Sequence, residues 1–226
     1  MKLRIGISPC PNDTFIFDAI YSKQIDISPF EFEFIFEDVE TLNQLALESK
    51  LDIIKLSYAN YFNVLDNYIM LRSGGALGNK VGPILVSKKN YHLTDIDSLT
   101  VAIPGINTTA NFLLTYAFPF LTKKTAFVFS DIIDAVLENK VDAGVIIHEN
   151  RFTYQTKGLH KLIDLGEYWE LKTNKPIPLG GIAIKRIIDP IISKKINNLI
   201  QESILFSRAQ YPILSDFVTC HAQEMD

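Results

Sequence analysis

One of the four histidines stands where a side chain can carry out proton transfer. His148 follows the apolar residues 143–147, whose pattern predicts a short buried strand. In open α/β sheets, ligands bind outside the carboxyl ends of the strands, so a histidine at this place faces the expected ligand crevice. An imidazole has a pKa near neutrality and can therefore accept a proton at physiological pH. We take His148 as a candidate general base, with a histidine that only ends a strand as the alternative.

A segment near the amino terminus contains two prolines on either side of a cysteine. Residues 8–15 have the sequence Ser-Pro-Cys-Pro-Asn-Asp-Thr-Phe and lead from a predicted strand into a helix predicted over residues 14–21. Proline fixes φ and lacks an N–H donor, which favours a rigid loop here. We predict that Asn12 or Asp13 caps the helix, and both are candidate ligand contacts at the same crevice. A rigid connector without a ligand is the alternative.

Lys55, Leu56 and Ser57 stand at the end of an apolar segment that begins at residue 51 and predicts a buried strand. Burying the lysine is costly unless its ammonium reaches solvent or an anion. The Ser57 hydroxyl can cap the following helix or donate to a ligand. This segment is a second group of candidate ligand contacts.

A Pro-Gly break follows the strand predicted over residues 100–103. Asn107, Thr108 or Thr109 can then cap the helix predicted over residues 109–118. The backbone N–H groups and the positive dipole end of such a helix attract a carboxylate. Capping without any ligand is the alternative explanation of this pattern.

Composition and charge exclude several classes of protein. The 226 residues are 47% hydrophobic and 21% charged, as in ordinary globular proteins. A net charge of −4 without basic clusters argues against nucleic acid or an anionic membrane as a partner. No metal-binding spacing occurs, and Cys10 and Cys220 are too far apart in sequence for a metal or redox motif. We therefore expect no metal.

The amino-terminal residues enter a predicted strand at once, which leaves no room for a signal peptide. No apolar run approaches the roughly 18 to 20 residues that span a bilayer. We therefore expect a cytoplasmic protein.

Strand and helix patterns alternate along most of the chain, which predicts βαβ units and a mostly parallel sheet. Two stretches have the pattern of crossings between lobes, residues 86–91 and residues 173–181, and Asp189-Pro190 then opens a long helix. The order of elements resembles a two-lobed, type-II periplasmic-binding-protein-like α/β fold with a ligand cleft between the lobes. The predicted lobes are residues 1–87 with 182–226, and residues 88–181. Pattern alone leaves a single doubly wound sheet as an equal alternative.

Several of these segments together resemble the 1,4-dihydroxy-6-naphthoate synthase family, which acts late in the futalosine route to menaquinone. The matching segments are, in chain order, SPCPNDTF at 8–15, KLS at 55–57, GINTTA at 105–110, GVIIHENRF at 144–152 and HAQEMD at 221–226. The resemblance extends over about residues 2–225. Family members continue past the last segment into a further helical segment, whereas this chain ends there, so the resemblance says least about lobe packing and subunit contacts.

The resemblance implies an activity. The expected reaction converts cyclic dehypoxanthinyl futalosine to 1,4-dihydroxy-6-naphthoate by carbon–carbon cleavage, with His148 as the proton acceptor and without a cofactor. The expected partner is a small-molecule substrate with an aromatic carboxylate, and a homodimer is left open. A non-catalytic module that binds a small carboxylate and the sister chorismate dehydratase are the alternatives, and the segment at 8–15 together with His148 favours the synthase.

The resemblance also implies which residues contact the substrate. These are Lys55, Leu56, Ser57, Thr108, Thr109 and Ala110. We add Asn12 and Asp13 as contacts of the sugar-derived part of the substrate. Arg151 contacts a substrate carboxylate or pairs with a surface acid, and Glu149 orients the His148 imidazole or faces solvent.

Overall fold

A computed structural model describes residues 1–79, 81–148 and 150–221 of the chain. The contacts within the chain divide it into two compact units, and each of them is described by itself. Unit 1 comprises Met1–Ala76 and Gly180–Asp226, and unit 2 comprises Leu77–Leu179.

The strands form two sheets. The six strands of the larger sheet are β1 (Lys2–Ile7), β2 (Glu31–Phe36), β3 (Ile53–Ser57), β4 (Tyr68–Met70), β5 (Ala76–Gly78) and β11 (Ile177–Lys185). The five strands of the smaller sheet are β6 (Ile84–Ser87), β7 (Val101–Ile103), β8 (Lys124–Ala126), β9 (Ala143–Ile146) and β10 (His160–Asp164). The larger sheet has the order β2-β1-β3-β11-β4 with β5 beside β11, and the smaller has the order β10-β6-β9-β7-β8.

Helices connect the strands and cover the sheets. In chain order they are α1 (Pro11–Tyr21), α2 (Val39–Leu47), α3 (Tyr58–Tyr61), α4 (Thr109–Ala117), α5 (Ile132–Leu137), α6 (Asn150–Thr153), α7 (Leu165–Thr173), α8 (Pro190–Gln210) and α9 (Asp216–His221). The described residues also include three short 3₁₀ segments, at Leu93–Ser98, Phe129–Asp131 and Tyr154–Lys157. No helix in the described part of the chain has the length and apolar character that crossing a membrane requires.

Both sheets are mixed, so the prediction of a mostly parallel sheet was wrong. Strand β1 pairs in parallel with β2 and β3, and β7 pairs in parallel with β8 and β9. These are the strands joined by helical crossovers, as expected for βαβ units. In contrast, β11 pairs antiparallel with β3 and β4, and β6 pairs antiparallel with β9 and β10. They join strands from distant parts of the chain, which local pattern does not reveal.

The contacts within the chain place two boundaries between the units. The first boundary lies between Ala76 and Leu77, and β6 pairs with β9 and β10 inside unit 2. The second lies between Leu179 and Gly180, within β11. Although prolines and glycines interrupt the hydrophobic pattern there, the backbone forms one continuous strand.

Two elements differ from the sequence prediction in unit 2. His160 follows Gly158, and this pattern predicts a turn, but His160 begins β10, which pairs antiparallel with β6. The apolar residues 126–129 predict a strand, whereas β8 ends at Ala126 and Phe129 begins a 3₁₀ segment. Both segments are short, and neither shows the clear alternation of buried and exposed residues that signals a strand.

Each unit has its own hydrophobic core. In unit 1, α1 and α8 pack on the strands β1, β3 and β11 through buried aliphatic and aromatic side chains. Helix α8 starts as predicted, since Asp189 caps it by accepting the Ile191 N–H at 2.7 Å and Pro190 occupies the first turn. In unit 2, helices α4 and α5 lie against the smaller sheet, with Leu113 and Ile132 almost fully buried.

Candidate functional site

Helix α1 begins earlier than the sequence suggested. Its first residue is Pro11, and Cys10 occupies the N-cap position without a side-chain hydrogen bond to the helix. The prediction that Asn12 or Asp13 caps the helix was therefore wrong. Proline fits the first helical position because the N–H that it lacks has no acceptor within a helix. Asn12 lies exposed in the first turn, whereas Asp13 is fully buried.

Asp13 points back to the loop and across to β3. Its Oδ2 accepts the Ser8 N–H at 3.1 Å and the Ser8 hydroxyl at 2.7 Å, and its Oδ1 forms an ion pair with Lys55 Nζ. The side chains of Asp13 and Lys55 are 0% and 11% exposed, so both charges lie away from bulk water. The anion that a buried Lys55 requires is thus supplied by the protein itself.

The pair keeps Lys55 positively charged. Burial lowers the pKa of the Lys55 ammonium, but the negative charge of Asp13, the Cys10 thiol and the hydrogen bond to Asp13 raise it, and the pKa lies above its ordinary value. At neutral pH the site therefore holds a fixed cation whose direction is set by Asp13.

Cys10 is buried in the same cluster, with the Ser8 hydroxyl 2.9 Å from its sulfur. Burial, together with the charge of Asp13, raises the pKa of the Cys10 thiol to about 11, although the positive charge of Lys55 lowers it in part. Because the thiolate is the reactive form, Cys10 is expected to be inert near neutral pH.

We expect iodoacetamide at about pH 8 to modify Cys220, which is exposed, and to leave Cys10 unmodified until the protein is unfolded. Peptide mass spectrometry after timed alkylation measures both sites in one sample. Denaturation in urea is the control, since it should make the two thiols equally reactive. Modification of Cys10 at the rate of Cys220 in the folded protein would contradict the burial and the raised pKa.

The residues after Lys55 continue the same strand. Leu56 is fully buried, and Ser57 is held by Asn43: its N–H donates to Asn43 Oδ1 at 2.9 Å, and its Oγ accepts from Asn43 Nδ2 at 3.1 Å. Gly180 of β11 lies opposite Ser57, and a Cβ there would come within 3.2 Å of Lys55 Cε. The glycine therefore leaves room for the lysine side chain.

Sequence reasoning missed two residues of this cluster, Ser8 and Asn43. Ser8 was read only as part of a rigid loop, whereas its N–H and hydroxyl both bind Asp13. Asn43 lies fully buried on α2 beside Leu42 and Ala46. A polar residue on the apolar side of a helix was the signal that could have found it, because buried polar groups need partners.

In unit 2, helix α4 begins where the sequence predicted. Thr108 is the cap among the three alternatives: its Oγ1 accepts the Asn111 N–H at 3.2 Å and donates to the Gly105 carbonyl at 2.8 Å. Thr109 Oγ1 donates to the Leu179 carbonyl at 2.8 Å. Ala110 is 4% exposed and lies in the first turn. The positive end of the helix dipole is therefore built by these small residues.

His148 lies two residues beyond the end of β9. It is half-buried, and its backbone has φ = +54°, in the left-handed region. The imidazole is 5.3 Å from the Phe129 ring, centroid to centroid, with the two planes at 70°. An aromatic edge-to-face neighbour restricts the orientation of the imidazole. Glu149, the residue expected to orient it or to face solvent, lies outside the described residues.

The Arg151 side chain forms hydrogen bonds to two other residues of unit 2. Its Nη2 donates to Asp164 Oδ2 at 2.9 Å, and its Nη1 donates to the Gly82 carbonyl. Asp164 is 2% exposed, so the partner is a buried acid and not a surface one. The substrate contact that was considered for Arg151 stays a prediction.

The predicted residues thus fall into two groups. Asp13, Lys55 and Ser57 belong to one cluster in unit 1, with Asn12 exposed beside it. Unit 2 contains His148 and Arg151 in one turn and the start of α4. Within residues 1–79, 81–148 and 150–221, no group of three or more His, Cys, Asp or Glu side chains has the arrangement of a metal site.

Comparisons with known proteins agree with this architecture. The sequence matches the family described as menaquinone biosynthesis over residues 3–226. It is 44% identical over 224 residues to the 1,4-dihydroxy-6-naphthoate synthase of Thermus thermophilus and 38% identical over 230 residues to that of Streptomyces coelicolor. Each alignment covers 99% of this chain and 80% of the relative.

Solved structures show the same fold. A protein of Archaeoglobus fulgidus is 32% identical, with a TM-score of 0.92, over 100% of this chain and 83% of that one. The periplasmic aliphatic sulphonate-binding protein SsuA of Escherichia coli is 14% identical, with a TM-score of 0.67, over 92% of this chain and 74% of that one. At that identity the second likeness concerns the fold alone. The prediction of a periplasmic-binding-protein-like α/β fold is confirmed.

Proposed function

This chain belongs to the menaquinone biosynthesis family, and from that membership we propose that it is an enzyme, a 1,4-dihydroxy-6-naphthoate synthase. The observation that carries the proposal is the 44% identity to a synthase of that name over 99% of the chain. The reaction proposed is the conversion of cyclic dehypoxanthinyl futalosine to 1,4-dihydroxy-6-naphthoate. It is a carbon–carbon lyase reaction, and it takes place in the cytoplasm.

His148 acts as the general base in this proposal. Its imidazole accepts a proton from the substrate, and the electron pair released forms a new double bond as the carbon–carbon bond breaks. The electron pair of the broken bond goes to one of the two fragments, which takes up a proton, and the sugar-derived fragment leaves. The half-buried position beside Phe129 supports this role, because a partly dry site limits competition from water. No cofactor is needed, since a base and hydrogen-bond donors suffice for an elimination.

The start of α4 holds the aromatic carboxylate. Thr109 and Ala110 form the first turn of α4, so an anion bound there lies at the positive end of the helix dipole. Thr108 supports the site by fixing the first turn, through its bonds to Gly105 and Asn111. A small aromatic acid is thereby the ligand class that this helix start favours.

The cluster in unit 1 supplies the second set of contacts. Lys55 is charged and held by Asp13, so it presents a fixed ammonium to the substrate, with Leu56 and Ser57 alongside. The hydroxyl hydrogen of Ser57 donates to the substrate while Asn43 binds its oxygen. Asp13 orients Lys55 and has no exposed surface, so the contact with the sugar-derived part falls to Asn12.

The decisive experiment is incubation of the protein with cyclic dehypoxanthinyl futalosine in buffer containing EDTA and no added cofactor. Formation of 1,4-dihydroxy-6-naphthoate, followed by mass spectrometry, is the expected outcome. A parallel incubation with chorismate tests the sister dehydratase activity. Tight binding of the first substrate without turnover would instead favour the non-catalytic binding module. Sedimentation of the same sample tests for a homodimer.

A further inference from the structure

The turn that carries His148 has an unusual backbone and is closed by Arg151. Residues other than glycine adopt φ = +54° infrequently, although histidine does so more readily than most. The His148 carbonyl accepts a hydrogen bond from the Arg151 N–H at 3.4 Å, at the start of α6. The direction of the imidazole therefore depends on how firmly Arg151 is held.

Arg151 fastens this turn to two other elements of unit 2. Its guanidinium donates to the Gly82 carbonyl, just before β6, and to the Asp164 carboxylate, at the end of β10. The side chains of Arg151 and Asp164 are only 14% and 2% exposed, and the Phe152 ring centre lies 5.7 Å from the guanidinium carbon. A planar guanidinium that spans two acceptors fixes both distance and direction.

Asp164 is itself anchored to helix α7. Its Oδ1 accepts the N–H groups of Gly166 and Glu167 at 2.9 and 3.0 Å, while Oδ2 accepts from Arg151. Behind this cap, a Cβ on Gly82 would lie 2.7 Å from Gly166 Cα, so the two backbones are in direct contact. The two residues that accept from the guanidinium, Gly82 and Asp164, are therefore packed closely together around the start of α7.

We propose that Arg151 and Asp164 form a positioning pair that sets the direction of the His148 imidazole. The start of α7 fixes Asp164, Asp164 fixes the guanidinium, and Arg151 fixes the turn. In this proposal Arg151 acts through His148, and the competing prediction of a substrate contact is tested by the KM of Arg151→Gln. The proposal rests on the proposed function for the role of His148 as a base, but the geometry of the turn can be measured without any reaction.

Two single variants remove the pair from either side. Asp164→Asn keeps an oxygen to cap α7 and removes the charge that holds Arg151, and Arg151→Gln removes the two-pronged donor. We expect each to lower kcat about tenfold to a hundredfold, since small displacements of a reacting group have effects of this size. KM should stay within about threefold, because no substrate contact is lost. The kcat of the double variant should be no lower than that of the less active single variant, because both changes disrupt the same interaction.

Asp38→Asn is the matched control. Asp38 caps α2 in the same way, since its Oδ1 accepts the Glu40 and Thr41 N–H groups at 2.9 and 3.2 Å. Its other oxygen accepts the Thr41 hydroxyl, where Asp164 has an arginine. The change removes the charge of a cap and leaves the His148 turn intact, so kcat should equal that of the wild type.

A readout independent of turnover is the NMR signal of the His148 ring. The Phe129 ring at 5.3 Å gives the imidazole C–H protons a ring-current shift. Among the four histidines the signal is identified by its loss in His148→Asn. We expect the shift to move towards the free-imidazole value in Asp164→Asn and Arg151→Gln and to stay unchanged in Asp38→Asn.

Several results would overturn the positioning pair. One is an unchanged His148 signal in both pair variants, provided that circular dichroism shows them folded. Others are multiplicative losses in the double variant, or a KM raised more than about tenfold in Arg151→Gln while Asp164→Asn behaves as the wild type, which would assign Arg151 to the substrate. If Arg151→Gln does not fold, Arg151→Lys replaces it, since lysine keeps the charge but cannot span both acceptors. If His148→Asn retains full activity, the proposed base is wrong, and the ring-current shift alone decides on the pair.

Discussion

Replacement of His148 by asparagine is expected to lower kcat by about 10²–10⁴-fold, the usual contribution of a general base. Asparagine is the better probe than alanine because the residue has φ = +54°, a conformation that asparagine tolerates more readily. The amide cannot accept the proton at neutral pH, so the chemical step is lost while the turn is kept. Naphthoate formation under saturating substrate gives kcat, and calorimetric titration of the variant gives the binding constant.

His160→Asn is the control for this experiment. His160 also lies in unit 2, but it is exposed at the start of β10, and the change should leave kcat unaltered. We expect substrate affinity of His148→Asn within a few-fold of wild type, about 1 kcal/mol at most. If affinity falls while turnover of bound substrate persists, His148 is a ligand contact and the base must be sought elsewhere.

Local signals in the sequence were sufficient where an element is defined by its own residues. Asp189 and Pro190 gave the start of α8, and Thr108 was among the residues predicted to cap α4. In both cases the cap bonds to the backbone two or three residues ahead, so no distant partner is involved. The same holds for the strand that precedes His148, whose apolar run is fully buried in β9.

Prediction failed where a distant partner competes with the local rule. Asp13 has the residue type and place of a helix cap, but it forms an ion pair with Lys55, 42 residues away in sequence. A carboxylate stabilises a buried ammonium more than it stabilises a helix end, because helix ends can be capped in other ways. The acid beside Arg151 was missed for the same reason. Asp164 ends β10, a strand that pattern did not reveal, so nothing local connects the two residues.

The division of the chain into units likewise depends on distant partners. The stretch around residue 87 has the composition of a linker, yet β6 ends there as an interior strand between β9 and β10. Strand pairing between distant segments decides to which unit a residue belongs, and the hydrophobic pattern of one strand does not name its neighbours. Pro178 illustrates the converse, since it lies inside β11 although proline usually interrupts a strand.

Asp13→Asn is expected to lower the free energy of unfolding by about 3–5 kcal/mol at pH 7, because it leaves the buried Lys55 without its partner. The asparagine oxygen can still accept from Ser8, so the loss reports mainly on the charge. Urea denaturation of both proteins gives the difference.

Asp52→Asn is the matched control. Asp52 also accepts a backbone N–H, from Arg4, but pairs with Lys185 at 3.3 Å with both side chains more than a fifth exposed. Its loss should be at most about 1 kcal/mol.

The pH dependence distinguishes a lost ion pair from a general packing defect. In the wild type the folded-state pKa of Lys55 is raised above its ordinary value of 10.5. The stabilisation from the Asp13–Lys55 pair is therefore constant below pH 10.5 and is lost only as pH rises above that value. Without Asp13, burial dominates and the folded-state pKa of Lys55 falls below the unfolded value. The unfolded chain then binds more protons than the folded one, and stability rises with pH between the two values. Asp13→Asn should therefore recover part of its stability between about pH 7 and pH 10, where the wild type does not. If the difference in unfolding free energy between Asp13→Asn and the wild type stays constant over this range, Lys55 reaches water in the variant. The conclusion that a buried ion pair with Asp13 fixes the Lys55 ammonium would then be wrong.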